Sequence, residues 1–356
     1  MELEEFKKEK YVESDRPPFS IQQQQDPWLV MCDGDVRQKQ TFFSVSQNQY
    51  YIRRIPELKE KIIRANAVEW LVLQSIYSTD CYLWNLISND KIQLPPLPEC
   101  TILECLLSAP PNDPECHVLF LIEETETIPD DDDENSNDDT DDENDEDVNP
   151  PTFYFCKPGY NEEFHKEDGH SIFENGSGGI WTVFKKKFYV STFQTRRLLC
   201  LEPDNDSGTI TITPMYNESP DVRKYLDMGR FANFILQSCD DTLLYVHMFF
   251  NGKNHGIPYD FVVFRFDFAR KRWIETESIG EIAIFISYYT MTGTICSTRG
   301  TNLNKESIYF IEGRYLYVYN LITHSISLSL PCPHVSKKNP STHWLPLPCQ
   351  KKTVNV

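Results

Sequence analysis

The chain has 356 residues, 40% hydrophobic and 13% aromatic, with a formal net charge of −20. Its length lets it bury about three quarters of its unfolded surface. Glu123 to Asp147 holds 16 acidic residues and no Lys or Arg, so the remainder carries only −4; a run of that sign repels phosphate and excludes nucleic acid as the expected partner.

The first residues, Met1-Glu2-Leu3-Glu4-Glu5, are acidic and do not read as a secretory signal. No apolar run approaches ~18 residues, so no membrane span is expected. The eleven cysteines are scattered without a Cys-x-x-Cys pair. That pattern predicts reduced core thiols in a cytoplasmic or nuclear protein. Asn175-Gly176-Ser177, Asn205-Asp206-Ser207 and Asn217-Glu218-Ser219 match the glycosylation pattern and are expected to be unused there.

In chain order, Glu2 to Glu13 reads as a short helix, and so does Pro56 to Arg64. Glu69-Trp70-Leu71-Val72-Leu73 and Tyr82-Leu83-Trp84-Asn85-Leu86 read as strands leading into Lys91 to Leu97. Cys116 to Ile122 and Thr152 to Cys156 are the next strands. A hairpin loop between them needs only a few residues. Instead the acidic run Pro129 to Asp147 intervenes, with almost nothing to bury, and predicts a disordered insertion over 123–150. Loop-closure entropy rises slowly with length, so a solvated loop is tolerable there. Its carboxylates, Asp130, Asp131, Asp132, Asp133, Glu134, Asp141, Asp142 and Glu143, are the candidate partner-binding residues if the run attracts a basic protein. No calcium-loop spacing is present among them.

Four later phrases share one form. Trp84-Asn85-Leu86 returns through Ile92-Gln93-Leu94, and Cys200-Leu201-Glu202 through Ile210-Thr211-Ile212. Phe266-Asp267-Phe268 returns through Trp273-Ile274, and Tyr319-Asn320-Leu321 through Ile326-Ser327-Leu328. Each is a strand end, a short polar turn and an alternating return strand. Asp267 and Asn320 are 53 residues apart, a blade-sized interval. About 50 residues per blade predicts an all-β propeller of about six blades, seven being possible. A β-sandwich with a second β domain is the alternative. An N-terminal strand near Trp28 is expected to pair with C-terminal strands and close the ring.

Motifs for chemistry are weak. None of the eight histidines pairs at metal-ligand spacing, so no metal or cofactor is expected. Gly176-Ser177-Gly178-Gly179 lacks the Lys-Ser/Thr and helix of a phosphate cradle. Asp240-Asp241 sits in an expected hairpin turn between Leu236 and Leu243. The tryptophans read as core and inter-blade packing.

The ordered phrases resemble the plant KIB-type β-propeller domain, usually found in F-box proteins. Pro27-Trp28-Leu29-Val30 resembles the opening strand of that family, and Trp70-Leu71-Val72 its Gly-Trp-Leu phrase. Leu83-Trp84-Asn85 with Ile92 to Pro96 resembles its Asn-Pro and Leu-Pro-Pro segment. Phe153 to Gly159 and Lys187-Phe188-Tyr189-Val190 follow. Phe264 to Phe268, Lys271-Arg272-Trp273, Ser278 to Phe285, Ser307 to Phe310 and Tyr317 to Leu321 keep the family's order. Trp28, Trp70, Trp84, Asn85, Trp273, Gly280 and Asn320 are the motif positions. Glu69 stands where the family has Gly, and Leu86 where it has Pro.

The resemblance implies a propeller over 27–350 behind an extension over 1–26. It implies a non-enzymatic module that holds a protein partner, as the substrate-recognition half of ubiquitin-ligase F-box proteins does. Three F-box helices of ~11 residues exceed the stretch before Pro27, so docking to the ligase adaptor is not expected. A monomer is expected. The alternatives are an enzyme or small-ligand binder in the central channel, which needs converging carboxylates or histidines, and a binder of basic proteins through the acidic run.

Overall fold

The computed structural model describes residues 10–11, 27–33, 36–124, 151–169, 172, 178–193, 197–216, 230–238, 241–250, 256–288, 290–312, 315–331 and 341–345. Its strands form six sheets. Blade 1 holds β1 (Lys10–Tyr11), β2 (Trp28–Asp33), β3 (Lys39–Ser44) and β4 (Gln49–Arg53). Blade 2 holds β5 (Lys61–Ala67), β6 (Trp70–Ser75), β7 (Cys81–Asn85) and β8 (Lys91–Gln93). Blade 3 holds β9 (Cys100–Leu107), β10 (Val118–Glu124), β11 (Thr152–Cys156) and β12 (His165–Asp168). Blade 4 holds β13 (Gly179–Phe184), β14 (Lys187–Thr192), β15 (Leu198–Asp204) and β16 (Thr209–Tyr216). Blade 5 holds β17 (Arg230–Gln237), β18 (Leu243–Phe250), β19 (Pro258–Asp267) and β20 (Arg272–Thr276). Blade 6 holds β21 (Ile282–Ser287), β22 (Thr292–Ser297), β23 (Ser307–Glu312), β24 (Tyr315–Asn320) and β25 (Ser325–Pro331). The last strand, β26 (Ser341–Leu345), returns to blade 1 and pairs antiparallel with β2, from Trp28↔Leu345 to Cys32↔Ser341. The ring is therefore six-bladed, and its ends meet near Trp28.

The core is divided into six wedges, each between two neighbouring blades. Alternation within a strand feeds two wedges at once, because successive side chains point to opposite faces. In β2, Leu29 and Met31 enter the wedge shared with blade 6, while Trp28, Val30 and Cys32 enter the one shared with blade 2. In β10, Val118, Phe120 and Ile122 face blade 2, and Leu119 and Leu121 face blade 4. Both faces are covered, so these middle strands read as unbroken apolar runs rather than as apolar-polar alternation.

The four repeated phrases are the outer hairpins of blades 2, 4, 5 and 6, each joining the third and fourth regular strands. One device closes all four. The Asn85 and Asn320 side-chain oxygens each accept the N–H groups two and three residues on. Asp267 does the same, and Asp204 accepts the Asp206 N–H. Four residues beyond each, Asn89, Gly208, Lys271 and His324 take positive φ of 64°, 69°, 48° and 50°. An Asx-turn followed by a left-handed residue is what Asn, Asp and Gly favour. Blade 1 uses Ser44, whose Oγ accepts from Gln47 N, with Asn48 at φ 52°.

Three features differ from the sequence reading. Lys10 and Tyr11 lie in β1, parallel to β4, within the expected N-terminal helix. The second expected helix is only a 3-10 turn over Pro56–Leu58; Glu60 then takes φ 59° and the chain enters β5. Helix-forming Glu and Lys there are overridden by pairing with β6, which buries Ile63. Blade 6 is also irregular. Its order is β22-β21-β23-β24-β25, with β21 and β23 parallel. A hairpin thus folds back so that its second arm, β22, supplies the innermost strand. Gly293 permits the close approach: a Cβ there would lie 2.9 Å from both the Phe285 carbonyl oxygen and a Leu236 methyl.

Candidate functional site

The innermost strands touch in succession: β5 with β9, β9 with β13, β13 with β17, β17 with β22, and β22 with β26. They surround the central channel. The hairpins β2–β3, β6–β7, β14–β15 and β18–β19, each joining a second to a third regular strand, reach the same end of the ring as the starts of β5 and β9. At that end a cavity of about 590 Å³ opens, lined by Arg37, Ile62, Arg64, Leu103, Glu104, Met291, Ser341 and His343 among others.

The charged groups there are held in different ways. Arg64 on β5 donates Nε to Gln74 Oε1 at 2.6 Å and Nη1 to the Ile102 carbonyl at 3.4 Å. Burial, and to a smaller extent the Arg37 charge, holds its pKa below the usual range. Glu104 on β9 lines the cavity, where burial pushes its carboxyl up to about 7, with the Cys105 N–H and the Arg64 charge opposing. His343 on β26 is buried beside Ser341, with Nε2 2.7 Å from Oγ; burial and then Arg37 lower it to about 3. Neutral His343 and a carboxyl that titrates near neutrality leave the two guanidiniums as the fixed charge.

Around this mouth, exposed apolar side chains stand at the ends of the strands and in their connections: Tyr77 in blade 2 (71% exposed), Phe193 in blade 4 (52%) and Ile257 in blade 5 (47%). The connection between β10 and β11 leaves from the same end. The candidate carboxylates from Asp130 to Glu143 belong to it and lie outside the described residues. Its described flank is anchored, with Glu124 paired to Lys166 at 2.6 Å. The opposite end carries Tyr160, Phe268 and Ile322.

The motif residues occupy other places. Trp28 and Trp84 are buried in the wedge between blades 1 and 2, and Trp70 in the wedge between blades 2 and 3. The Trp84 indole N–H donates to Asn89 Oδ1 at 2.8 Å, fixing the left-handed residue of its hairpin. Trp273 packs edge-on to Tyr245 and Phe266. Gly280, at φ 74°, donates its N–H to Glu306, whose carboxylate also accepts from Ile279 N and Ser278 Oγ. None of these reaches the channel cavity. The cavity's charged residues were not singled out by sequence; the usable signal was a lone charge within an apolar strand, Arg64 after Ile62-Ile63 and Glu104 after Ile102-Leu103.

The family's departures are explained locally. Leu86 donates its N–H to the Glu69 carbonyl, which Pro could not do. The left-handed turn residue is Val68 at φ 56°, not Glu69. A β-branched residue there is strained. Val68→Asn is expected to raise stability by about 1 kcal/mol, read as a higher urea midpoint; an unchanged or lower midpoint would show the turn to be relaxed.

Among the described residues eight cysteines are free, and burial pushes Cys32, Cys81, Cys116 and Cys156 up to about 12, so these thiols are poor nucleophiles. No helix among those residues is long and apolar enough to cross a membrane.

Six four- or five-stranded sheets around a channel, closed by a C-terminal strand, define a β-propeller. The KIB1-4 β-propeller family model matches residues 42–324, and the chain belongs to that family. No curated protein matches the chain. Solved structures that resemble it include the Myceliophteria thermophila Cps50 (Swd1) β-propeller domain, at 9% identity and TM-score 0.34, over 85% of this chain and 92% of that one. A Lactobacillus plantarum protein is similar at 10% identity and TM-score 0.38, over 90% and 100%. A luciferin-regenerating enzyme is similar at 18% identity and TM-score 0.24, over 49% and 54%. Likeness at these levels carries no argument about fold or activity.

Proposed function

We propose that this propeller is a non-enzymatic protein-interaction module that holds a protein partner on the end of the ring bearing the channel cavity. The observation that carries the reading is the set of large apolar side chains, Tyr77, Phe193 and Ile257, exposed in three blades around the cavity mouth, whereas Tyr160, Phe268 and Ile322 on the opposite end lie on the outer hairpins, away from the channel. Exposed aromatic and aliphatic side chains suit recognition, because each can serve as an anchor that buries a large apolar area on docking. Membership of the KIB1-4 family adds the finer form of the reading: the partner is a target held as F-box propellers hold substrates for ubiquitination.

The test is site-specific photocrosslinking in cell extract. A crosslinker at Phe193 should give one discrete adduct, and Tyr77→Ala with Ile257→Ser should abolish it. The same probe at Ile322, on the opposite end, should give none. Equal adducts at both ends, or none at Phe193, would overturn the reading.

A further inference from the structure

Arg37 and Arg64 line the same channel cavity, and neither forms an ion pair with a carboxylate among the described residues. Arg37, on the β2–β3 connection, is half-buried, and its guanidinium has no hydrogen bond or ion pair among the described residues. Arg64 spends two of its five donors on Gln74 and Ile102. Glu104 shares the cavity yet forms no ion pair with either arginine. Like charges sharing a cavity repel, as the Arg37 charge does in lowering the Arg64 pKa, and an anion between them relieves the repulsion.

We propose that this cavity binds a small organic oxyanion, a carboxylate or phosphate monoester, with its anionic group between Arg37 and Arg64 and its apolar body against Ile62, Leu103 and Met291. The Gln74 and Ile102 contacts hold Arg64 before the ligand arrives, so little ordering is needed on binding. The cavity of about 590 Å³ accommodates a small organic molecule. Burial raises the Glu104 carboxyl to about 7, so near neutral pH it can be protonated and donate to the bound oxyanion. Arg64 on β5 and Cys105 on its own strand act on it directly, and Arg37 on the β2–β3 connection and His343 on β26 line the same cavity. The neighbouring inner strand β13, Gly179–Phe184, adds no ionisable side chain. On β10, Leu121 lies opposite Glu104, and the acidic Glu123 and Glu124 stand further along that strand. Anion affinity should therefore tighten from pH 8 to pH 6.

The test is calorimetric titration of the full chain with benzoate, phenyl phosphate and neutral benzyl alcohol at pH 6 and 8. At least one anion should bind saturably at one site and the alcohol should not; which anion binds identifies the oxyanion class. Arg37→Gln should weaken binding about tenfold or more without lowering the thermal midpoint of the unliganded protein. Glu104→Gln should keep binding and remove its pH dependence for benzoate. Absence of saturable binding for both anions, equal binding of the alcohol, or wild-type affinity in Arg37→Gln would overturn the proposal. It is independent of the protein-interaction reading: crosslinking at Phe193 and anion titration in the channel can each fail without the other.

Discussion

Trp344→Ala should lower stability by about 3–5 kcal/mol. Trp344 is 2% exposed, its ring stands 4.8 Å from Phe285, and it shares the wedge between blades 6 and 1 with Leu29, Phe43 and Leu316. It also lies on β26, the short strand by which the C-terminal part of the chain closes blade 1. Truncation removes apolar contacts, leaves a cavity, and loosens the only described strand that joins the two ends of the ring. That is a large part of the ~5–15 kcal/mol by which native domains are stable. Urea unfolding checks it, with Trp344→Phe expected to recover most of the loss. Ile322→Ala, at an exposed hairpin tip, should fall within about 0.5 kcal/mol of wild type. A Trp344→Ala midpoint equal to that of Ile322→Ala would mean that closure does not depend on β26.

Substitutions at His247 and Glu104 should bend the pH dependence of stability in opposite directions. His247 lies in β18 among Tyr245, Phe249, Phe264 and Phe231, and neither ring nitrogen finds a hydrogen-bond partner. Burial lowers its pKa from 6.5 to about 3. The unfolded chain then binds a proton that the folded chain refuses, so this stability is present above pH 6.5 and is lost as pH falls toward 3. Between pH 6.5 and 5 the loss is about 2 kcal/mol, and His343 adds a similar one. Glu104 has the opposite sign. Its folded pKa of about 7 exceeds the ordinary 4.5, so the stability associated with its neutral form is complete below 4.5 and is lost as pH rises through 7. The full difference is at most about 3 kcal/mol. His247→Leu should therefore gain most over wild type at acid pH, and Glu104→Gln most at pH 8. Urea midpoints from pH 4.5 to 8 measure both. A curve for either variant parallel to wild type would remove the desolvation account of that residue.

Blade count and hairpin positions were readable in the sequence because they rest on local chemistry. Asn85, Asp204, Asp267 and Asn320 each close a turn with their own side-chain oxygen, and the left-handed residue follows at a fixed distance. Such turns need no distant partner. The helix expected over Pro56 to Arg64 failed because local propensity for Glu and Lys is weaker than pairing of Ile62 and Ile63 with β6. The reversed hairpin of blade 6 was hidden for a related reason. Ile282–Ser287 and Thr292–Ser297 have strand patterns that suit either position in a blade, and only contact with β17 and β26 makes β22 the inner one. The cavity was hidden most completely. Arg37, Arg64, Glu104 and His343 come from four separate places in the chain, and each looks like an isolated charge or imidazole in its own neighbourhood.

What the order of residues settled unaided was the strand-turn-strand unit and its repetition, since alternation and turn geometry act over a few neighbours. Which strand lies innermost, how the last strand seals the first blade, and which charges face one another across the channel were decided only when the blades packed. Those relations depend on wedges shared between sheets far apart in the chain, and burial between blades is what gives Glu104 and His343 properties that they would not have in an isolated strand.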